Sequence, residues 1–224
     1  MRFRDRTEAG RLLAEQLTSF ADRTDVQVLA LPRGGVPVGF EIASVLHAPL
    51  DVWLVRKLGA PKMPELAIGA IASGGVETIG VDAVRRLAIT RGQLDAIVSR
   101  EWQELARREA AYRGDRPPID VHARTVILVD DGIATGASMC VAIASLRRLG
   151  PTAIVVAVPV AGAPACAFLV READQVVCLS TPADLNSVGE WYVDFSQTSD
   201  QEVCTLLERA RDFAPRLESR SAHN

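Results

Sequence analysis

The residues best suited to chemistry stand together in segment 126–138, which reads VILVDDGIATGAS. Its apolar first half predicts a buried β-strand, and the residues from Ala137 onward predict a helix. Asp130 and Asp131 would then lie at the carboxyl end of the strand, where ligands bind in open parallel sheets. Two carboxylates there can accept hydrogen bonds from the vicinal hydroxyls of a ribose and orient water on a magnesium ion.

The residues that follow the two acids suit a phosphate. They lead into the predicted helix, whose first backbone N–H groups have no partner within the helix. These groups, the helix dipole and two side-chain hydroxyls can hold a terminal phosphate. The set that we assign to it is Ile133, Ala134, Thr135, Gly136, Ala137 and Ser138. In the plainer alternative, Asp131 and Gly132 are turn residues and Thr135 is a helix cap.

Basic residues follow two earlier predicted strands. The first strand, 26–31, ends at the loop Pro32-Arg33-Gly34-Gly35, and the second, 50–55, is followed by Arg56 and Lys57. The guanidinium of Arg33 is suited to bind phosphate oxygens in a bidentate manner. The alternative is that these basic side chains are solvated at a turn and a strand end.

Segment 126–138 resembles the motif that binds phosphoribosyl pyrophosphate (PRPP) in type I phosphoribosyltransferases. The resemblance is strongest to the adenine enzymes, which read D-D-hydrophobic-hydrophobic-A-T-G-G-T. Ala137 and Ser138 replace the usual Gly and Thr, and Ala134 stands where hypoxanthine-guanine enzymes carry an acid. The resemblance implies that Asp130 and Asp131 hold the ribose and, through water, Mg²⁺.

The glycine loop after the first strand is similar to the pyrophosphate loop of the same family. Because the family usually has a non-proline cis peptide there, we predict cis geometry at Pro32-Arg33. The basic pair resembles the one that precedes the flexible catalytic loop of orotate enzymes. The resemblance implies a pyrophosphate set of Arg33, Gly34, Gly35 and Arg56, and a catalytic set of Asp130, Asp131, Arg56 and Lys57.

The acceptor of related purine enzymes lies under a hood loop near a Val-Gly step. In this chain the corresponding region is 185–195, in which Leu185 takes the position of a frequent aromatic residue. The candidates for base binding are therefore Val188, Trp191 and Tyr192. The alternative is that the two aromatic residues hold the tail loop against the core.

The predicted elements alternate between strand and helix, which favours an α/β fold with a central parallel sheet flanked by helices. We expect one domain over residues 1–224, with a core at about 24–180 and a hood from N-terminal residues and about 181–213. Residues 59–80, rich in glycine, predict a mobile loop leading into short β pieces, and residues 59–75 would close over the site. Predicted helices cover about 7–23, 37–47, 90–114, 137–149, 163–172 and 200–213, further strands cover 125–129, 153–158 and 175–179, and residues 219–224 predict a frayed end.

The composition limits the partners. Hydrophobic residues make up 48% and charged residues 24% of the chain, and the formal net charge is −3. The sequence has no Lys/Arg stripe with interleaved aromatic residues, which is unfavourable for nucleic acid. It also has no close cysteine pair, no apolar signal core and no apolar run long enough for a bilayer. We therefore expect a cytoplasmic protein with no nucleic-acid or membrane partner, and a homodimer is possible for this fold.

The function that this predicts is Mg²⁺-dependent transfer of 5-phosphoribosyl from PRPP to a nucleobase-like acceptor, with a purine favoured, and release of pyrophosphate. The alternative is a non-catalytic module that senses PRPP or a nucleotide. It is favoured by Ala134, which supplies no general base. It is also favoured by the hood region, where Leu185 takes the position of a frequent aromatic residue. A different Rossmann-like nucleotide binder is disfavoured, because the sequence has neither G-x-G-x-x-G nor G-x-x-x-x-G-K-[ST].

Overall fold

The computed structural model describes residues 2–114, 116–117 and 119–213, so the predicted frayed end at 219–224 lies outside the described residues. A five-stranded sheet in the order β2-β1-β6-β7-β8 forms its centre, and all of its neighbouring strands are parallel. The predicted fold class is confirmed. The strands are β1 (Val26–Ala30), β2 (Leu50–Val52), β6 (Thr125–Val129), β7 (Ala153–Val160) and β8 (Gln175–Ser180).

Helices cover both faces of this sheet because the strands are apolar on both sides. In β6, Ile127 and Val129 belong to one hydrophobic cluster, whereas Val126 and Leu128 belong to another. Residues of α1, α2, α4 and α7 pack in the first cluster, and residues of α5 and α6 pack in the second. The helices are α1 (Arg6–Glu15), α2 (Gly35–Leu46), α3 (Val81–Arg86), α4 (Arg91–Arg113), α5 (Ala137–Arg147), α6 (Ala163–Glu172) and α7 (Asp200–Arg209).

A second, antiparallel sheet has its three strands in the order β3-β4-β5. Its strands are β3 (Val55–Ala60), β4 (Met63–Ala72) and β5 (Val76–Ile79). The sequence indicated a loop leading into short β pieces here, but β4 alone has 10 residues. Its second half buries Ile68 and Ile71, which are 1% and 0% exposed. Gly74 and Gly75 form the turn to β5 with positive φ, so these glycines serve a tight turn rather than a long loop.

The second predicted strand is divided between the two sheets. It pairs in the parallel sheet only as far as Val52 and joins the antiparallel sheet at Val55. Between them, the ring of Trp53 is buried and its Nε1 donates a hydrogen bond to Ser145 Oγ at 2.9 Å. The first predicted helix is also shorter than expected, because α1 ends at Glu15 and a separate 3₁₀ turn follows at Thr18–Phe20.

The long helix α4 confirms its predicted start. Thr90 is the N-cap, its side chain accepts from the N–H of Gln93, and the Gln93 side chain accepts from the N–H of Thr90. None of the helices among the described residues combines the length and apolarity that a bilayer span requires. The predicted division into a core at 24–180 and a hood that includes 181–213 stays a prediction.

Candidate active site

The two acids lie directly after β6, at the carboxyl edge of the parallel sheet. The backbone N–H of Asp131 donates to Asp130 Oδ1 at 2.9 Å, which holds the Asp130 side chain against the backbone of the next residue. Burial, and then the charge of Asp131, raises the pKa of Asp130 well above its usual value. Burial also raises the pKa of Asp131. A pair of half-buried carboxylates therefore needs positive charge or hydrogen-bond donors nearby.

Arg6 supplies such a charge, and the sequence patterns gave no indication of it. Its Nε donates to Asp131 Oδ2 at 2.8 Å, and the two side chains are only 11% and 15% exposed. Its Nη1 donates to the carbonyl oxygen of Ser196 at 2.8 Å, and its guanidinium lies 4.0 Å from the ring centroid of Phe195. Arg6 opposes the effect of burial on the pKa of Asp131. This pair joins residues 125 positions apart, so no local motif contains it.

Tyr192 supports the second acid from behind. Its hydroxyl donates to the carbonyl oxygen of Asp131 at 2.6 Å, and the residue is 1% exposed. Its ring stacks on Phe195 at a centroid distance of 5.0 Å and is tilted against Phe3 at 5.5 Å. The expected contact of Tyr192 with a base is therefore corrected, because no face of the ring is open to a ligand. The alternative that this aromatic residue holds the tail to the core describes it better.

The predicted phosphate loop leads into α5 as expected. Gly136 is the residue before the helix and has φ +78°, a conformation that favours glycine. Thr135 and Ser138 are exposed, and the first-turn amides of α5 have no partner within the helix. A pocket of about 210 Å³ covers this segment, with a lining that includes Asp130, Gly132, residues 133–139 and Val188.

Two members of the predicted phosphate set differ from the rest. The N–H of Ile133 donates to the carbonyl oxygen of Val160 at 2.8 Å, and its own carbonyl accepts from Gly162 at 3.0 Å. Both backbone groups of Ile133 are thus used within the protein, which disfavours a phosphate contact through its backbone, and its place in the phosphate set stays a prediction. Ala134 is exposed and also lines a second cavity toward the tail.

The glycine loop between β1 and α2 packs directly against the two acids. The bond Pro32-Arg33 is cis, which confirms the prediction. A Cβ added to Gly34 would collide with the carboxylate of Asp131, and one added to Gly35 would lie 2.8 Å from the carbonyl oxygen of Val129. Only glycine allows this approach, so the loop and the acids form one continuous surface.

The predicted cations are held by acids from other elements. Arg33 Nη1 lies 4.0 Å from Asp200 Oδ1, which accepts a hydrogen bond from Tyr112 at 2.5 Å. Burial and this hydrogen bond raise the pKa of Tyr112 to about 12. Arg56 Nε donates to Glu101 Oε2 at 2.7 Å. The guanidinium of Arg56 is therefore oriented before any ligand binds, whereas Arg33 has only a long ion contact.

One pocket of about 110 Å³ brings the predicted segments together. Its lining includes Pro32, Arg56, Asp130 and Ser138, with Arg108 from α4, which the sequence did not single out. Lys57 does not line this pocket. It lines a neighbouring cavity of about 410 Å³ that it shares with Arg56. Of the basic pair, the structure thus places only Arg56 at the pocket that contains Asp130.

The residues that line the region expected to receive the acceptor differ from the residues that were predicted to line it. The side chain of Val188 packs closely on Gly132, so a Cβ added to Gly132 would collide with it. Trp191 is half-buried at the end of a short 3₁₀ turn, Val188–Trp191. A cavity of about 280 Å³ lies beside the phosphate loop, and its lining includes Ala134, Gly162, Asp184, Leu185 and Asn186. Polar residues in a tail loop carry no periodic pattern, so the sequence alone did not identify Asp184 and Asn186.

Comparisons with known proteins agree with this geometry. The phosphoribosyl transferase domain family matches residues 6–197, so the chain belongs to that family. The matched residues include all five strands of the parallel sheet and the small antiparallel sheet.

Two proteins are notably similar to the chain. It is 47% identical over 213 residues to "Putative phosphoribosyl transferase Rv0571c" of Mycobacterium tuberculosis, a match that covers 95% of this chain and 48% of the relative. The chain therefore spans about half the length of the curated relatives that it matches. The chain is also 44% identical to TT1426 from Thermus thermophilus, whose crystal structure matches it with a TM-score of 0.81. This match covers 96% of this chain and 100% of TT1426.

Proposed function

We propose that this protein binds PRPP with Mg²⁺ and transfers its 5-phosphoribosyl group to a nucleobase-like acceptor, releasing pyrophosphate. One observation carries the proposal: three segments that are distant in the chain converge at one edge of the sheet. Gly34 lies against Asp131, while Asp130 and Ser138 line one pocket together with Arg56. Acceptors for hydroxyls, donors for a phosphate and cations for a leaving group thus stand side by side.

Each part of PRPP has a counterpart in this arrangement. The carboxylates of Asp130 and Asp131 accept hydrogen bonds from the ribose hydroxyls, and Arg6 orients Asp131 and opposes the rise in its pKa that burial causes. The amides and hydroxyls of Thr135 and Ser138 hold the 5′-phosphate at the start of α5. The guanidiniums of Arg33 and Arg56 bind the pyrophosphate, with the loop amide of Gly34 beside them. The N–H of Gly35, which was predicted to share this role, donates to the carbonyl oxygen of Leu31 at 3.1 Å.

The donor set at the acids fits Mg²⁺. This ion prefers oxygen ligands and is commonly held by one or two carboxylates together with substrate phosphates. Asp130 and Asp131 offer such oxygens next to the pyrophosphate pocket. When bound, Mg²⁺ would offset negative charge on the leaving group.

The chain's own residues promote departure of the leaving group rather than attack by a protein nucleophile. The bond between ribose C1 and pyrophosphate breaks, a bond from C1 to an acceptor nitrogen forms, and the developing negative charge is stabilised by the arginines. Ala134 has no acidic group, so the acceptor proton must leave to another group or to water. We propose that the acceptor lies in the cavity beside Ala134 and Leu185, with a purine as the first candidate.

The second candidate function is recognition of PRPP or a nucleotide without turnover. Two observations favour it: Ala134 supplies no base, and the buried ring of Tyr192 cannot stack on an acceptor. The sensor would use the same phosphate and ribose contacts. A homodimer, a cytoplasmic location and the absence of nucleic-acid and membrane partners stay predictions.

One assay separates the two functions. Purified protein is incubated with PRPP, Mg²⁺ and a panel of purine and pyrimidine bases, and pyrophosphate release is followed over time. Release that depends on one base supports the transferase. Tight PRPP binding in calorimetry without base-dependent release supports the sensor, and absence of PRPP binding contradicts both.

A further inference from the structure

One polar stripe of the long helix α4 faces the leaving-group side of the site. It consists of Glu101, Glu104, Arg108 and Tyr112, which follow one another at spacings of three or four residues and therefore share one helix face. We call these four residues the α4 stripe. A single element thus provides acidic, basic and hydroxyl groups beside the pocket that contains Asp130.

Two members of the α4 stripe pair with Arg56, and a third binds the acid that lies nearest to Arg33. Glu101 is 8% exposed and accepts from Arg56 Nε at 2.7 Å, while Glu104 Oε1 lies 3.9 Å from Arg56 Nη1. Tyr112 donates to Asp200 at 2.5 Å, and Asp200 lies 4.0 Å from Arg33. The α4 stripe thus orients the guanidinium at the start of β3 and lies near the one from the loop after β1.

Arg108 differs from the rest of the stripe because it reaches the pocket itself. It lines the cavity of about 110 Å³ together with Pro32, Asp130 and Ser138. Its Nε donates to Glu104 Oε1 at 2.8 Å, which anchors the side chain. A guanidinium has five N–H donors, so this contact leaves others for a ligand.

We propose that Arg108 is a pyrophosphate-binding residue. It is supplied by helix α4, in addition to Arg33 and Arg56. This inference rests on the proposed function, since it assigns one more contact to the same leaving group. Pyrophosphate carries several negative charges, and Arg108 adds a second guanidinium to a pocket already lined by Arg56. Planar guanidiniums suit such oxygens because they can bind them in a bidentate manner.

The neighbouring residue Arg107 offers a matched control. It also pairs with Glu104, through hydrogen bonds of 2.7 and 3.0 Å, and it has the same charge and lies on the same helix. It does not line the pocket with Asp130. Arg107→Gln and Arg108→Gln therefore remove equal charge and each break an ion pair with Glu104, but only the second removes a side chain from the pocket.

The test measures binding by calorimetry for three probes, each with Mg²⁺: PRPP, pyrophosphate and ribose 5-phosphate. For Arg108→Gln we expect the Kd of PRPP and of pyrophosphate to rise about 10-fold or more, equivalent to about 1.4 kcal/mol or more, and the Kd of ribose 5-phosphate to stay unchanged. For Arg107→Gln all three constants should stay within about 2-fold of wild type, as expected for an exposed ion pair. Arg108→Lys should recover part of the loss because it keeps the charge.

Four outcomes overturn the proposal. Equal losses in the two Gln variants would assign the effect to charge or to Glu104, and an equal loss for ribose 5-phosphate would assign it to general disturbance of the site. If the wild type binds PRPP tightly and the Arg108→Gln variant binds it with the same affinity, the role of Arg108 is refuted but the proposed function is not. A wild type that binds neither PRPP nor pyrophosphate would refute the proposed function together with this inference.

Discussion

The acid side and the leaving-group side of the site are built in different ways. The acid side comes almost entirely from one continuous segment, in which β6 ends at Asp130 and Asp131 and α5 begins after Gly136. The leaving-group side is assembled from the loop at Arg33, the start of β3 at Arg56 and the middle of α4. A site made by one segment is fixed by local geometry, whereas a site made by several depends on how those segments pack.

Replacing both acids is the strongest test of the acid side. We expect Asp130→Asn with Asp131→Asn to weaken PRPP binding by about 100-fold or more, since hydrogen bonds to charged groups are worth about 1.5–3 kcal/mol each. Thermal unfolding should stay near that of wild type, because the lost pairing with Arg6 is offset by relief of two carboxylates whose pKa values are raised by burial. Calorimetry with PRPP and a thermal melt check this, and retained binding would refute the ligand assignment.

Gly34→Ala tests whether the two sides are in direct contact. The new methyl group would collide with the carboxylate of Asp131. We expect PRPP binding to weaken about 10- to 100-fold and the protein to lose about 1–3 kcal/mol of stability, as is typical of overpacking. The measurements are calorimetry and denaturant unfolding.

Gly92→Ala is the matched control for this change. A Cβ at Gly92 meets no atom within 4 Å, and the residue lies in α4. Alanine favours a helix over glycine by up to about 1 kcal/mol, so stability should be equal or higher and binding unchanged. If both alanine variants behave alike, the close packing of Gly34 on Asp131 is not what limits the site.

Arg6 tests how far the acid side depends on a distant residue. We expect Arg6→Gln to raise the KM for PRPP about 10-fold, because it removes a charged hydrogen bond from Asp131, while Arg6→Lys should recover part of the loss. Exogenous guanidinium should also restore part of the activity of Arg6→Ala. A smaller kcat with unchanged KM and no rescue would instead indicate a general structural role.

Tyr192→Phe is expected to have the smallest effect. It removes the hydroxyl that donates to the Asp131 carbonyl at 2.6 Å but keeps the packing on Phe3 and Phe195. We expect a stability loss of about 1 kcal/mol, typical of one hydrogen bond, and a change in PRPP affinity of less than about 5-fold. A loss of acceptor binding alone, with PRPP binding and stability intact, would return Tyr192 to the role of a base contact.

The contrast between one continuous segment and several converging segments also explains which sequence predictions succeeded. Strand 125–129 and helix 163–172 match the structure, because apolar runs bounded by turn residues specify elements locally. In place of the loop expected within 59–80, the structure has two strands and part of a third. Glycines occur both in mobile loops and in tight turns, and only the burial of Ile68 and Ile71 shows that this segment is a sheet. Arg6 and Arg108 were missed because a lone arginine in a charged helix has no pattern of its own.

The amino-acid sequence by itself determined the parallel α/β fold and the two acids at a strand end, whereas the cis bond at Pro32-Arg33 was expected only from the resemblance to a known family. These features depend on the order of residues within short segments. Tertiary structure alone decided that Arg6 pairs with Asp131 across 125 positions, that Lys57 lines another cavity and that Arg108 reaches the pocket. The physical reason is that such contacts depend on how distant elements pack in space, whereas the motifs arise from backbone geometry within a single turn or strand.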